Sequence, residues 1–112
     1  MSDRLPSDLL AKALMRRAFD RGGSATLLAR GDANGGAILI LALNRGHGPS
    51  FHERGIGASG APALIRSGPV QVGDAEAEDY WRRRRARDPD LWVIELDIAG
   101  AERLAAETLG LD

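Results

Sequence analysis

The sequence contains no cysteine, and this absence excludes several kinds of chemistry. A chain without thiols forms no disulfide scaffold, binds no zinc through thiolates and performs no thiol catalysis. Aromatic residues make up only 4% of the chain, so aliphatic side chains have to fill most of the core. The longest apolar run, residues 37–43, is far shorter than the roughly 20 residues that a membrane-spanning helix needs. We therefore expect no association with a membrane.

The N-terminus also lacks a basic region followed by an apolar one, the order that a secretory signal peptide requires. We therefore expect a cytoplasmic protein. The net charge of −1 produces no overall field that would attract nucleic acid. With 112 residues, of which 44% are apolar and 28% charged, the chain predicts a single globular domain over residues 1–112.

The clearest strand signal covers residues 91–98, directly after the turn formers Asp88 and Pro89. Side chains alternate along a strand, so the even-numbered residues form a wholly apolar face that has to be buried. The odd-numbered face begins apolar and ends acidic at Glu95 and Asp97.

Two further strands are predicted over residues 24–30 and 37–44. The turn formers of residues 31–36 lie between them and predict a hairpin that pairs the two strands. The second strand is apolar on both faces, which predicts a central position with both sides covered, or a subunit contact. Short strands are predicted over residues 51–56 and 63–66.

Helices are predicted over residues 8–21 with Ser7 as N-cap, 75–87 with Asp74 as N-cap, and 101–109. The first helix carries an apolar arc that is wider than one sheet face requires. These elements predict an α+β fold: a single domain with a mostly antiparallel sheet of four or five strands, packed with two or three helices.

The second helix carries a run of arginines. Arg82 and Arg83 follow acidic residues at the spacing of exposed ion pairs, but Arg84 falls within the short apolar stripe of the helix. We predict that Arg84 is structural and pairs with Asp88 or Asp90; the alternative is an anion site that binds phosphate or carboxylate. The candidate binding residues are Arg17, Arg84, Arg87, Asp88, Asp90 and Glu95.

No catalytic or cofactor site is predicted. Residues 55–60 match G-x-G-x-x-G, but no long helix follows that could meet a pyrophosphate, so we expect a flexible loop. His47 and His52, with Glu53, lack a third metal ligand, and we interpret both histidines as solvated loop residues. We predict no catalytic residue, no metal and no cofactor, and we do not expect an enzyme.

The sequence contains the motifs Arg16-Arg17, Arg30-Gly31-Asp32, Gly36-Ala37 and Asp88-Pro89-Asp90-Leu91-Trp92-Val93-Ile94-Glu95. Together they resemble a family of small bacterial proteins, domain of unknown function 1491. The likeness covers about residues 5–98, and the block from Asp88 to Glu95 is its most specific part. The resemblance implies a compact single domain with a characteristic final strand, and it implies no activity.

The sequence thus predicts a small cytoplasmic protein-interaction module of unknown function. The wide apolar arc of the first helix and the two-sided apolar strand predict self-association into a homo-oligomer. The alternative is binding of an anion, a phosphometabolite or nucleic acid through the second helix. Nucleic acid is not expected, because the domain is slightly acidic and shows no broad basic face.

Overall fold

The computed structural model describes residues 4–111, which form three helices and a five-stranded sheet. The α+β class and the mostly antiparallel sheet are confirmed. No helix within this range has the length and apolar character of a membrane span. In chain order the elements are α1 (Ser7–Asp20), β1 (Ser24–Ala29), β2 (Ile38–Asn44), β3 (His47–Ile56), β4 (Pro62–Ser67), α2 (Asp74–Arg87), β5 (Trp92–Asp97) and α3 (Ala101–Thr108).

The strand order in the sheet is β1-β5-β2-β3-β4. β5 pairs antiparallel with β1 and parallel with β2, whereas β2, β3 and β4 follow one another as antiparallel neighbours. The hairpin predicted between residues 24–30 and 37–44 is therefore wrong, because β5 lies between these two strands. β2 occupies the middle of the sheet, as its two apolar faces predicted.

The segment of residues 31–36 does not turn β1 onto β2; instead it holds the start of β5. The amide of Asp32 donates to the carbonyl of Asp90 at 3.0 Å, and the indole of Trp92 donates to the carbonyl of Asp32 at 2.8 Å. Gly31 and Gly36 both face the Asp90 carbonyl so closely that a Cβ on either would collide with it. Because these glycines have no side chain, they leave room for the segment around Asp90 that leads into β5.

Both faces of the sheet are covered. Helices α1 and α3 pack on the face that carries Ile40, Trp92 and Ile94, all of them buried. Helix α2 packs on the opposite face, where Leu39 and Val93 are buried. Because burial on both sides requires apolar residues at successive positions, this arrangement explains the continuous apolar run of β2.

The close approach at Gly36 yields a stability prediction. Gly36→Ala should lower the free energy of unfolding by about 1–3 kcal/mol, because the new Cβ overpacks against the Asp90 carbonyl. Gly35→Ala is the matched control: nothing lies within 4 Å of its Cβ, so the change should stay within about 0.5 kcal/mol. Urea denaturation measures both. Equal losses in the two variants would show that the Asp90 contact does not limit this position.

Candidate binding site

Arg84 on α2 is bound by Glu53, which lies on β3 below the helix. Its two terminal nitrogens donate to the two carboxylate oxygens of Glu53 at 2.6 and 2.9 Å, and one of them also donates to the Tyr80 hydroxyl at 3.0 Å. Only 25% of the Arg84 side chain and 19% of the Glu53 side chain are exposed. The arrangement is a bidentate, largely buried ion pair.

This ion pair changes the acidity of both groups. The hydrogen bonds from Arg84 lower the pKa of Glu53, against a smaller opposing effect of burial, and the Ser67 hydroxyl adds a further lowering. In return, the hydrogen bond to Glu53 raises the pKa of Arg84. Both groups therefore stay charged over the physiological range.

The structural role predicted for Arg84 agrees with this geometry, but the predicted pairing with Asp88 or Asp90 is wrong. These two aspartates lie in the exposed turn after α2, where the Asp88 carboxylate accepts the amide of Asp90 at 3.2 Å. Arg84 points from the helix toward the sheet instead, and there Glu53 occupies the fork of the guanidinium. A second anion would have to displace Glu53.

The other predicted residues do not gather around Arg84. Arg17 lies on the opposite side of the sheet, where it donates to the Thr108 hydroxyl at 2.7 Å and ties α1 to α3. Arg87 is exposed and makes no hydrogen bond or ion pair with any residue of the described range. Glu95 is half-buried on β5, between Thr26 and Leu41 in the register of the sheet.

A serine, a histidine and a glutamate meet on the face of the sheet that α1 and α3 cover. The Ser50 hydroxyl lies 2.8 Å from Nε2 of His52, and a carboxylate oxygen of Glu102 lies 3.5 Å from the same nitrogen. In a nucleophilic relay the two partners use different ring nitrogens, and the hydroxyl faces a substrate. Here both partners share Nε2, and Ser50 and His52 are buried. The interpretation of His52 as a solvated loop residue is wrong.

Burial lowers the pKa of His52 below its ordinary value of 6.5. Glu102 opposes this effect and Arg66, on the neighbouring strand, adds to it. Burial inside the sheet face therefore favours the neutral form of the imidazole. Within the described residues, no group of three or more histidine, aspartate and glutamate side chains is placed to hold a metal ion.

The glycine-rich motif of residues 55–60 forms the end of β3 and the turn into β4. The amide of Gly57 donates to the carbonyl of Ala61 at 2.8 Å and closes this turn. A strand follows, so the motif meets no helix N-terminus here.

A pocket opens where β2 and β3 diverge. Beyond His52 the pairing of β3 with β2 ends, while its pairing with β4 continues to the end of both strands. The N-terminal segment before α1 and the chain that follows α3 close the gap around a cavity of about 390 Å³. Its apolar walls come from Leu5, Leu10, Ile38, Leu109 and Leu111.

Polar groups at the pocket differ in whether they have partners. Ser7, predicted as the N-cap, is the first residue of α1, and its hydroxyl donates to the Gly36 carbonyl at 2.6 Å. Glu53 lines the pocket, but its carboxylate is held by Arg84. Arg54, the next residue of β3, is exposed and has no hydrogen-bond or ion-pair partner among the described residues.

Sequence reasoning did not find this pocket. Its walls combine residues from both ends of the described chain with one end of two strands, and no local pattern connects them. The one available signal was the apolar residues that lie outside the predicted helices, Leu5 before the first and Leu111 after the last.

The model of the protein family "Protein of unknown function (DUF1491)" matches residues 5–106. The match extends through most of α3, beyond the predicted limit at residue 98. No curated protein matches the chain.

Three solved structures resemble the fold. A crystal structure of a DUF1491 family protein from Caulobacter crescentus is 27% identical and covers 89% of this chain and 94% of its own, with a TM-score of 0.77. An NMR structure of a DUF1491 family protein from the same organism is 28% identical, with 92% and 94% covered and a TM-score of 0.73. A solution structure of a protein from A. tumefaciens, 24% identical with 96% and 94% covered and a TM-score of 0.72, shares the fold.

The Arg84–Glu53 pair yields a second stability prediction. Arg84→Met should lower the free energy of unfolding by about 1–3 kcal/mol, because it leaves the Glu53 carboxylate without its hydrogen bonds. The loss should shrink in a Glu53→Gln background, with a coupling of about 0.5–3 kcal/mol. Arg83→Met is the control: its ion pair with Asp79 is 67% and 68% exposed and should contribute only about 0–1 kcal/mol. Additive losses would contradict the pairing.

His52 yields a pH prediction. Because its pKa is lowered in the folded state, the unfolded chain binds more protons below pH 6.5, and stability should fall as the pH drops below this value. NMR titration of the imidazole measures the pKa directly. Glu102→Gln should lower it further and Arg66→Gln should raise it, since these groups act with opposite signs. Shifts in the same direction would contradict the assigned contacts.

Proposed function

The chain belongs to the DUF1491 family of proteins of unknown function, and we propose that it acts there as a non-catalytic interaction module. Its binding site is the pocket between β2 and β3, which receives a short apolar segment of a partner protein. The cavity of about 390 Å³ carries this proposal. It falls within the range of roughly 300–1,000 Å³ typical of ligand sites, and its lining combines aliphatic side chains with polar ones.

The surface around the pocket supports a protein partner. Leu5 lines the pocket and is 60% exposed, and Ile56, two residues beyond Arg54 on the same face of β3, is 69% exposed. Large apolar side chains that surround a concave site are typical of contact surfaces. A segment that entered the pocket would also cover these side chains.

The folded chain supports self-association less than the sequence does. β2 is covered on both faces within one molecule, and α1 buries Ala11, Leu14 and Ala18 against the core. Leu9 and Phe19 remain 50% and 56% exposed on α1. The homo-oligomer stays a prediction that depends on these two residues, and the cytoplasmic location stays a prediction as well.

Anion binding through α2, the alternative, has little support among the described residues. Glu53 occupies Arg84, and Glu78 and Asp79 pair with Arg82 and Arg83 within the helix. We therefore place the proposed function in the pocket.

A peptide selection tests the proposal. A random peptide library displayed on phage should yield binders to the wild-type protein that fail to bind Ala37→Phe, because Ala37 is an exposed pocket residue and a bulky ring there should obstruct the cavity. Ala86→Phe introduces the same ring at an exposed position of α2 and should retain binding. Circular dichroism checks that both variants fold.

Two results would count against a binding role for the pocket. One is a selection that yields no specific peptide. The other is a set of binders that Ala37→Phe and Ala86→Phe affect equally.

A further inference from the structure

We infer that the segment received in the pocket carries a carboxylate next to its apolar residue, and that Arg54 binds this carboxylate. The inference rests on the proposed function and specifies the chemistry of the partner. It is based on two adjacent charged residues of β3, of which only one has an ion-pair partner among the described residues.

Glu53 and Arg54 are neighbours on a strand, so their side chains point to opposite faces of the sheet. Glu53 points toward α2, where Arg84 neutralises it through two hydrogen bonds. Arg54 points toward the pocket and α1, and no described residue neutralises it. Among the described residues that line the pocket, Glu53 is the only acidic one. Within residues 4–111, the pocket mouth is therefore positive and has no free carboxylate.

Binding of a partner segment is unfavourable unless the segment supplies a negative charge for Arg54. A segment that fills the pocket removes part of the water around the exposed guanidinium of Arg54, and a charge that loses water without gaining a partner is unfavourable. A neutral segment leaves this cost in place, and a basic one adds repulsion. A carboxylate removes the cost and matches the planar fork of arginine with two hydrogen bonds.

The position of Arg54 also determines where the carboxylate lies. Arg54 lies opposite Leu64 in the register of β3 and β4, next to the apolar walls that Leu5 and Leu10 provide. An apolar side chain inside the pocket would therefore place the adjacent residues of its own segment near the guanidinium. We expect aspartate or glutamate within one or two residues of the apolar anchor.

The same random library on phage tests the inference, with Arg54→Glu in parallel with the wild type. Peptides that need an open pocket, defined by their loss of binding to Ala37→Phe, should be enriched in acidic residues on wild type and depleted of them on Arg54→Glu. Arg87→Glu is the matched control, since Arg87 is also exposed and without a partner in the described range. It should select the same peptides as the wild type.

A synthetic copy of the best peptide then isolates the contact by isothermal titration calorimetry. Replacing its acidic residue by the amide should weaken binding about two- to fivefold, the range of an exposed to partly exposed ion pair. Arg54→Gln should weaken the acidic peptide by a similar factor, and it should not weaken the amide peptide, because it removes the desolvation cost that a neutral segment leaves in place.

Pocket-dependent peptides without acidic preference, or an amide peptide that binds as well as the acid, would overturn the inference and leave the proposed function standing. A library that yields no pocket-dependent peptide would overturn both. The amide and acidic peptides are compared on the same unchanged protein, so a folding defect of an Arg54 variant cannot affect that comparison.

Discussion

The carbonyl group of Asp90 is the point on which the sheet depends. It lies against two glycines, Gly31 and Gly36, accepts the amide of Asp32 between them, and leads directly into β5. The Trp92 indole then donates to the carbonyl of Asp32, so two hydrogen bonds join the same residue to the start of β5. A side chain at either glycine would collide with this carbonyl and strain the start of β5, the strand that joins β1 to β2.

The sequence predicted the individual helices and strands better than it predicted which strands lie next to each other in the sheet. Alternation along residues 92–98 depends only on the strand itself, so it identified the buried face correctly. The glycines of residues 31–36 are compatible with a hairpin turn and equally compatible with the close approach of another segment. Local sequence does not distinguish these two possibilities. The strand pairing is determined by β5, an apolar strand much later in the chain that pairs with both β1 and β2.

Local sequence is equally insufficient to predict the partner of Arg84 and the pocket. Helical spacing showed that Arg84 faces the apolar stripe of α2 and needs a counter-charge, but spacing compares only residues of one element. Its partner, Glu53, lies on a strand across the layer, and the nearby Asp88 and Asp90 were therefore chosen wrongly. The pocket is still less predictable, because its walls come from the two ends of the described chain and from strands that separate there. Such a site exists only after the whole domain has folded.

The placement of β5 has a consequence for the nascent polypeptide. β2, β3 and β4 leave the ribosome in succession and pair with adjacent neighbours, so a meander of local contacts is available early. β1 emerges before them, yet its strand partner is the last strand to be made. Until then β1 and one side of β2 present open strand edges, the kind of surface that recruits wrong partners. The sheet is completed by insertion of β5 at an interior position, so its final strand is also the one that ends this exposure.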